Sequence, residues 1–168
     1  MAINSIPAFQ ANDITGTYTA LRELSSADIL VMARELLSEQ FCRGAAISCP
    51  DDSREYLVSQ LAPLEHEVFS VLFLDNRHRV ISFDQMFAGT IDGASVHPRE
   101  VVKRSLQHNA AAVILAHNHP SGIPEPSRAD ISLTRRLVDA LALVDVRVID
   151  HIVVGGVETV SFAERGLL

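Results

Sequence analysis

The chain has 168 residues, 48% of them apolar and 21% charged, which is the make-up of one globular domain able to bury a core and not of a disordered chain. Its formal net charge of −7 argues against sequence-independent binding to phosphate backbones, which needs a surplus of Lys and Arg. Cys42 and Cys49 form no CxxC pair, which fits a reducing compartment, and no apolar run approaches the length of a membrane span; a soluble cytoplasmic protein with no membrane partner is expected.

Residues 1–20 are polar, rich in Ala and Thr and without period, and are expected to form a flexible N-terminal arm. The arm has no basic residue before Arg22 and no long apolar core, so it does not read as a secretory signal. Residues 21–62 are expected to form a short N-terminal helical segment, and residues 63–168 the main domain. In SSADILVMARELLSEQF, Ile29, Ala33, Leu36 and Leu37 fall on one stripe, with Ser26 as the cap of a first helix. PDDSREYLVSQL, opened by Pro50 and two aspartates, predicts a second helix with Leu57 and Leu61 one turn apart. EVFSVLFLD, the turn DNRH and RVISFDQMF predict an antiparallel hairpin.

Pro98 opens a third helix, HPREVVKRSLQH, with Val102 and Leu106 aligned. AAAVILAHNH is a continuous apolar run of the kind that marks a strand buried on both faces. SRADISLTRRLVDALAL carries Ile131, Thr134, Val138 and Leu141 at helical spacing, and VDVRVIDHIVV closes as a strand before a turn at Gly155-Gly156 and a short tail. Helices alternating with strands, plus one hairpin, imply an α/β fold with a mixed sheet covered by helices.

The stretch LAHNHPSGIPEPSRAD, residues 115–130, holds the chemistry. Side chains alternate along a strand, so His117 and His119 point to one side with Cα atoms roughly 7 Å apart. Two imidazoles at that spacing can converge on one metal ion at about 2.0–2.1 Å each. PSGIPEP must be a bent, stiff loop, which can return the next helix to the strand end and bring Asp130 near the histidines. Two histidines and one carboxylate leave a fourth position for water, the pattern of a catalytic zinc (Zn2+) site. Ser127 and Asp130 also have the form of a helix-capping box, and the two roles can coexist.

HxH, seven residues, then SxxD resembles the JAMM/MPN metallopeptidase motif, and His117, His119, Ser127 and Asp130 fill its positions. HNHPSG at 117–122, VHPRE at 96–100, GT at 89–90 and DHIVVGG at 150–156 further resemble the bacterial RadC family, over roughly residues 45–168. No segment resembles the helix-hairpin-helix that longer RadC chains carry at the N-terminus. The resemblance implies a cytidine-deaminase-like JAMM/MPN fold, with a mixed central β-sheet and helices on both faces. It also implies a zinc-dependent hydrolase of a peptide or isopeptide-like amide.

In that resemblance a glutamate from an early strand acts as the base that takes a proton and returns it to the leaving amine. Glu67, followed by Val68-Phe69-Ser70 and then Val71-Leu72, matches it best; Glu65 shares a face with it and stays open. Ser127 would help hold the oxyanion. His66-Glu67 is not an HExxH zincin, since position 70 is Ser, and the PCxxC pair of zinc deaminases is missing. His78 reads as solvated, His97 as the end of a loop, and His108 as a cation favoured at a helix C-terminus. His151 is open between packing and a hydrogen bond to a ligand. The rival reading is a DNA-repair accessory protein with a non-hydrolytic metal site, which the acidic charge disfavours.

Overall fold

The computed structural model describes residues 8–12, 17–42, 47, 50–89 and 96–168. Cys49 and Thr90, both singled out in the sequence, lie outside the described residues. Within the segment expected to be an arm, β1 (Phe9–Asn12) and β2 (Thr17–Ala20) pair antiparallel as a small separate sheet. Alternating Thr, Tyr and Thr side chains suit a strand even in a polar stretch.

Two helices follow, α1 (Ser26–Cys42) and α2 (Pro50–Leu61). The cap of α1 is Ser25 and not Ser26: the Ser25 hydroxyl accepts from the Asp28 amide at 3.2 Å, and the Asp28 carboxylate accepts from the Ser25 amide at 2.9 Å. Of the expected stripe of α1, Ile29 is 54% exposed and Ala33 is exposed, while Leu36 is half-buried and the Leu37 side chain lies outside the described residues; Met32, off that stripe, is buried. In α2 the expected pair, Leu57 and Leu61, is fully buried.

The hairpin is present as β3 (Val68–Leu74) and β4 (Val80–Ala88), joined through a turn in which His78 takes a positive φ of 57°. Then come α3 (Pro98–Gln107), β5 (Ala112–Asn118), α4 (Arg128–Ala142), β6 (Arg147–Gly155) and β7 (Glu158–Ser161). The last strand lies in what was expected to be a tail. The strands form one mixed sheet in the order β4-β3-β5-β6-β7, with β5 and β6 parallel and every other neighbour antiparallel. A parallel pair needs a crossover, and α4 supplies it.

Helices cover both faces of this sheet. On one, Tyr56, Leu57 and Leu61 of α2 pack with Leu72, Ala112, Ile114, Ala116 and Ile152. On the other, Val101 of α3 and Leu137 and Leu141 of α4 pack with Val71, Phe73, Val113 and Leu115. Val101 and Ser105 turn inward in α3, while Leu106, expected on the buried stripe, is 57% exposed. β5 is the central strand and all seven of its residues are buried, as a continuous apolar run requires. Its odd-numbered residues face α3 and α4 and its even-numbered ones face α2. That alternation decides where His117 and Asn118 point.

Candidate metal centre

His117 lies on β5 between Phe69 of β3 and Val153 of β6, and is 1% exposed. As an odd position it faces α4. His119, just past the strand end, stays in line because its amide donates to the Val154 carbonyl at 2.8 Å. The Nε2 atoms of the two rings lie 3.0 Å apart. Asp130, in the first turn of α4, places Oδ1 3.7 Å from His117 Nε2 and Oδ2 3.9 Å from His119 Nε2. One donor atom from each of the three residues therefore falls within a 4.8 Å circle. Ligands at 2.0–2.1 Å in tetrahedral array stand about 3.3 Å from each other. The observed separations bracket that value, so the donor set fits a zinc-sized cation.

The protonation of the rings agrees with this use. Burial pushes the His117 pKa down to about 4 against the pull of the Asp130 charge, and burial likewise lowers that of His151. Both rings are neutral near pH 7, the form that ligates metals. His119 Nδ1 lies 2.8 Å from the Ile123 carbonyl, which can only accept. Nδ1 is therefore the donor in this bond, and Nε2 is the atom turned toward His117 and Asp130.

Asp130 is held by the capping box. Its Oδ2 accepts from the Ser127 amide at 2.7 Å, and its own amide donates to Ser127 Oγ at 3.1 Å. The cap accounts for the hydroxyl's acceptor side and leaves its proton free to be donated. The loop that carries Ser127 crosses the end of β6 at Gly155, where an added Cβ would sit 2.6 Å from the Pro124 nitrogen and 2.7 Å from the Gly122 carbonyl oxygen. A side chain there would lift the loop and carry Asp130 away from the histidines.

Glu67 directly precedes β3. Because Phe69 pairs with His117, stepping two residues back along an antiparallel ladder sets Glu67 level with His119 and on the same face. Its carbonyl accepts from the Gly89 amide at 2.7 Å. Glu65 sits in the exposed bend before the strand, whereas Glu67 is half-buried. Both line a cleft of about 570 Å³ together with Gly89, His119, Pro120 and Ser121.

Two supporting groups, Asn118 and the Thr134 hydroxyl, escaped the reading of the sequence. Asn118, 2% exposed, points to the α2 face and staples the Glu67 segment to β5. Its Oδ1 accepts from the Val68 amide at 2.8 Å, and its Nδ2 donates to the carbonyls of His66 at 3.0 Å and Leu64 at 3.3 Å. An amide inside an otherwise apolar strand was the available signal, since a buried carboxamide must find partners. His151 is fully buried and its Nε2 lies 2.8 Å from His117 Nδ1, so it is bonded to a candidate ligand as well as packed. Thr134, expected only as part of a helix stripe, places Oγ1 2.6 Å from His151 Nδ1. Elsewhere His97 lies edge-on to Phe87, and His108 Nε2 meets the Asp84 carboxylate at 2.9 Å; neither joins the cluster. His78, expected in solvent, is half-buried in its turn.

Comparison with known proteins agrees with the geometry. The chain is 59% identical over 168 residues to an UPF0758 protein of Thioalkalivibrio sulfidiphilus, covering 96% of this chain and 74% of that one. It is 64% identical over 139 residues to an UPF0758 protein of Nitrosococcus oceani, and 60% identical over 137 residues to one of Marinobacter nauticus. The alignments span 62% and 61% of those two relatives' lengths, so the chain matches about three-fifths of each. The RadC-like JAB domain matches residues 47–167, from just before α2 to the last residue but one. With the HxH pair, the SxxD helix start and the five-stranded sheet that brings them together, the chain belongs to the RadC family, whose RadC-like JAB domain it carries.

Proposed function

We propose that this protein is a zinc-dependent metallohydrolase of JAMM type that cleaves a peptide or isopeptide-like amide, working in the cytoplasm. The observation that carries the reading is the convergence of His117, His119 and Asp130 within 4.8 Å beside a cleft that Glu67 lines. A zinc ion held by these three residues would supply a Lewis acid and bring the pKa of a water in its open position to about 7. The protein's own groups do the rest. Glu67 takes a proton at its carboxylate and delivers it to the nitrogen of the leaving amine. Ser127 donates its hydroxyl proton to the oxygen that gains charge as the amide carbonyl is attacked, with the N-terminus of α4 behind it. The half-buried position of Glu67 and the exposed cleft suit an extended chain entering from solvent.

The test is metal analysis of the purified protein and of His117→Ala, followed by a screen of the metal-loaded protein against mixed amide and isopeptide substrates with Glu67→Gln as control. About one zinc per chain in the parent and turnover lost in Glu67→Gln is the expected result; a parent that binds no divalent metal sinks the reading.

A second reading, association with DNA in repair, has one observation in its favour. Arg128, Arg135 and Arg136 lie exposed on one flank of α4, a local basic face on an acidic protein. Salt-dependent DNA retention that survives His117→Ala would favour it.

A further inference from the structure

His117, His151, Thr134 and Asp130 form a continuous polar path through the core. His117 Nδ1 lies 2.8 Å from His151 Nε2, His151 Nδ1 lies 2.6 Å from Thr134 Oγ1, and Thr134 Oγ1 donates to the Asp130 carbonyl at 2.7 Å. Thr134 and His151 are fully buried, so no solvent can substitute for a missing partner. The path begins at one candidate ligand and ends on the main chain of another, crossing from β5 to β6 to α4.

The sense of the path is fixed at both ends. A cation at His117 Nε2 needs the lone pair there, so the ring proton must sit on Nδ1 and be donated to His151 Nε2. His151 Nε2 then accepts, which leaves its proton on Nδ1, donated to Thr134 Oγ1. Thr134 accepts with one lone pair and gives its own proton to the Asp130 carbonyl, an atom that can only accept. Every donor meets one acceptor. With the path running the other way, His151 would donate to His117 Nδ1 and force the proton onto Nε2, the atom that has to face the metal.

We infer that His151 and Thr134 are positioning residues that hold His117 as its Nδ1–H tautomer with Nε2 bare, and that tie the placement of Asp130 to the same path. The inference rests on the zinc-binding reading of the site, and concerns how tightly the metal is held. Neither residue touches the metal or a substrate. Phe69 and Phe162 wall His151 at ring-centroid distances of 5.7 and 4.6 Å, which keeps the imidazole in one orientation.

Thr134→Val keeps the shape of the side chain and removes the hydroxyl, while Thr134→Ser keeps the hydroxyl. Zinc affinity, measured by competition with a chromophoric chelator, should fall about 10–100-fold in Thr134→Val and in His151→Phe. In Thr134→Ser it should return to within about threefold of the parent. A merely structural role would lower melting temperature without moving the ring protons, so imidazole 15N shifts of the zinc-loaded parent supply the second readout. They should show His117 and His151 both protonated on Nδ1. Parent protein that binds zinc with His151 protonated on Nε2, or Thr134→Val that binds zinc as tightly as the parent, overturns the inference and leaves the metal reading standing. Failure of the parent to bind zinc overturns both.

Discussion

On one side of the cleft, His117, His119 and Asp130 stand on β5 and α4 and are held by Val154, Ile123, Ser127, His151 and Thr134. On the other side, the Asn118 carboxamide and a main-chain bond from Gly89 hold the segment that carries Glu67. The first side fixes two rings and a carboxylate one by one; the second fixes a stretch of main chain. The two sides meet at one strand end, where consecutive residues of β5 serve opposite faces.

The largest expected effect breaks the first side outright. His117→Ala should abolish stoichiometric zinc binding and bring amide turnover to background, read by metal analysis and by the substrate screen. Glu67→Gln should instead leave zinc content unchanged and lower turnover about 10²–10⁴-fold. Loss of zinc in that variant would show the carboxylate to be a ligand and erase the division of labour.

Ser127→Ala straddles the two sides. Removing its cap should cost about 1 kcal/mol in chemical denaturation, and removing an oxyanion donor about 100–1000-fold in turnover. Stability loss with turnover intact would reduce Ser127 to a cap. Asn118→Ala sharpens the contrast further. It should leave zinc affinity in place, raise hydrogen exchange at the amides of residues 65–68, and cost about 1–3 kcal/mol for the buried groups left unpaired. Zinc affinity that falls with it would mean the two sides are one unit.

The smallest effect is on acid stability. Both His117 and His151 have folded-state pKa values below the ordinary 6.5, so the unfolded chain binds protons that the folded one refuses. Stability of metal-free protein is therefore fully present above about 6.5 and declines as pH falls toward about 4. His151→Phe should flatten that decline in urea titrations at several pH values. An unchanged slope would show that His151 is not carried neutral into the fold.

What the sequence disclosed follows from which signals are local. The convergence of His117, His119 and Asp130 was legible because HxH obeys strand alternation and SxxD obeys helix-start geometry, both fixed within a few residues. α2 and β5 were legible because Leu57 with Leu61, and the run through Ile114, match one period each. The inward face of α3 was not, because Val101 and Val102 compete for it and packing against α4 decides. The cap of α1 slipped by one residue because Ser25 and Ser26 both qualify. β7 escaped notice because ETVS is four residues long and takes its stability from pairing with β6. The Asn118 staple and the His151–Thr134 pair each exist only through contacts between distant parts of the chain, which no spacing rule reports. Glu67 stood between the two cases: the apolar run after it was visible, and its place level with His119 needed the register of β3 on β5.

Gly155 ties the site to the last strands of the sheet. The loop that leads to Asp130 rests on bare backbone at the end of β6, so the seat of that carboxylate opposite the two imidazoles is only as firm as the docking of β6 against β5.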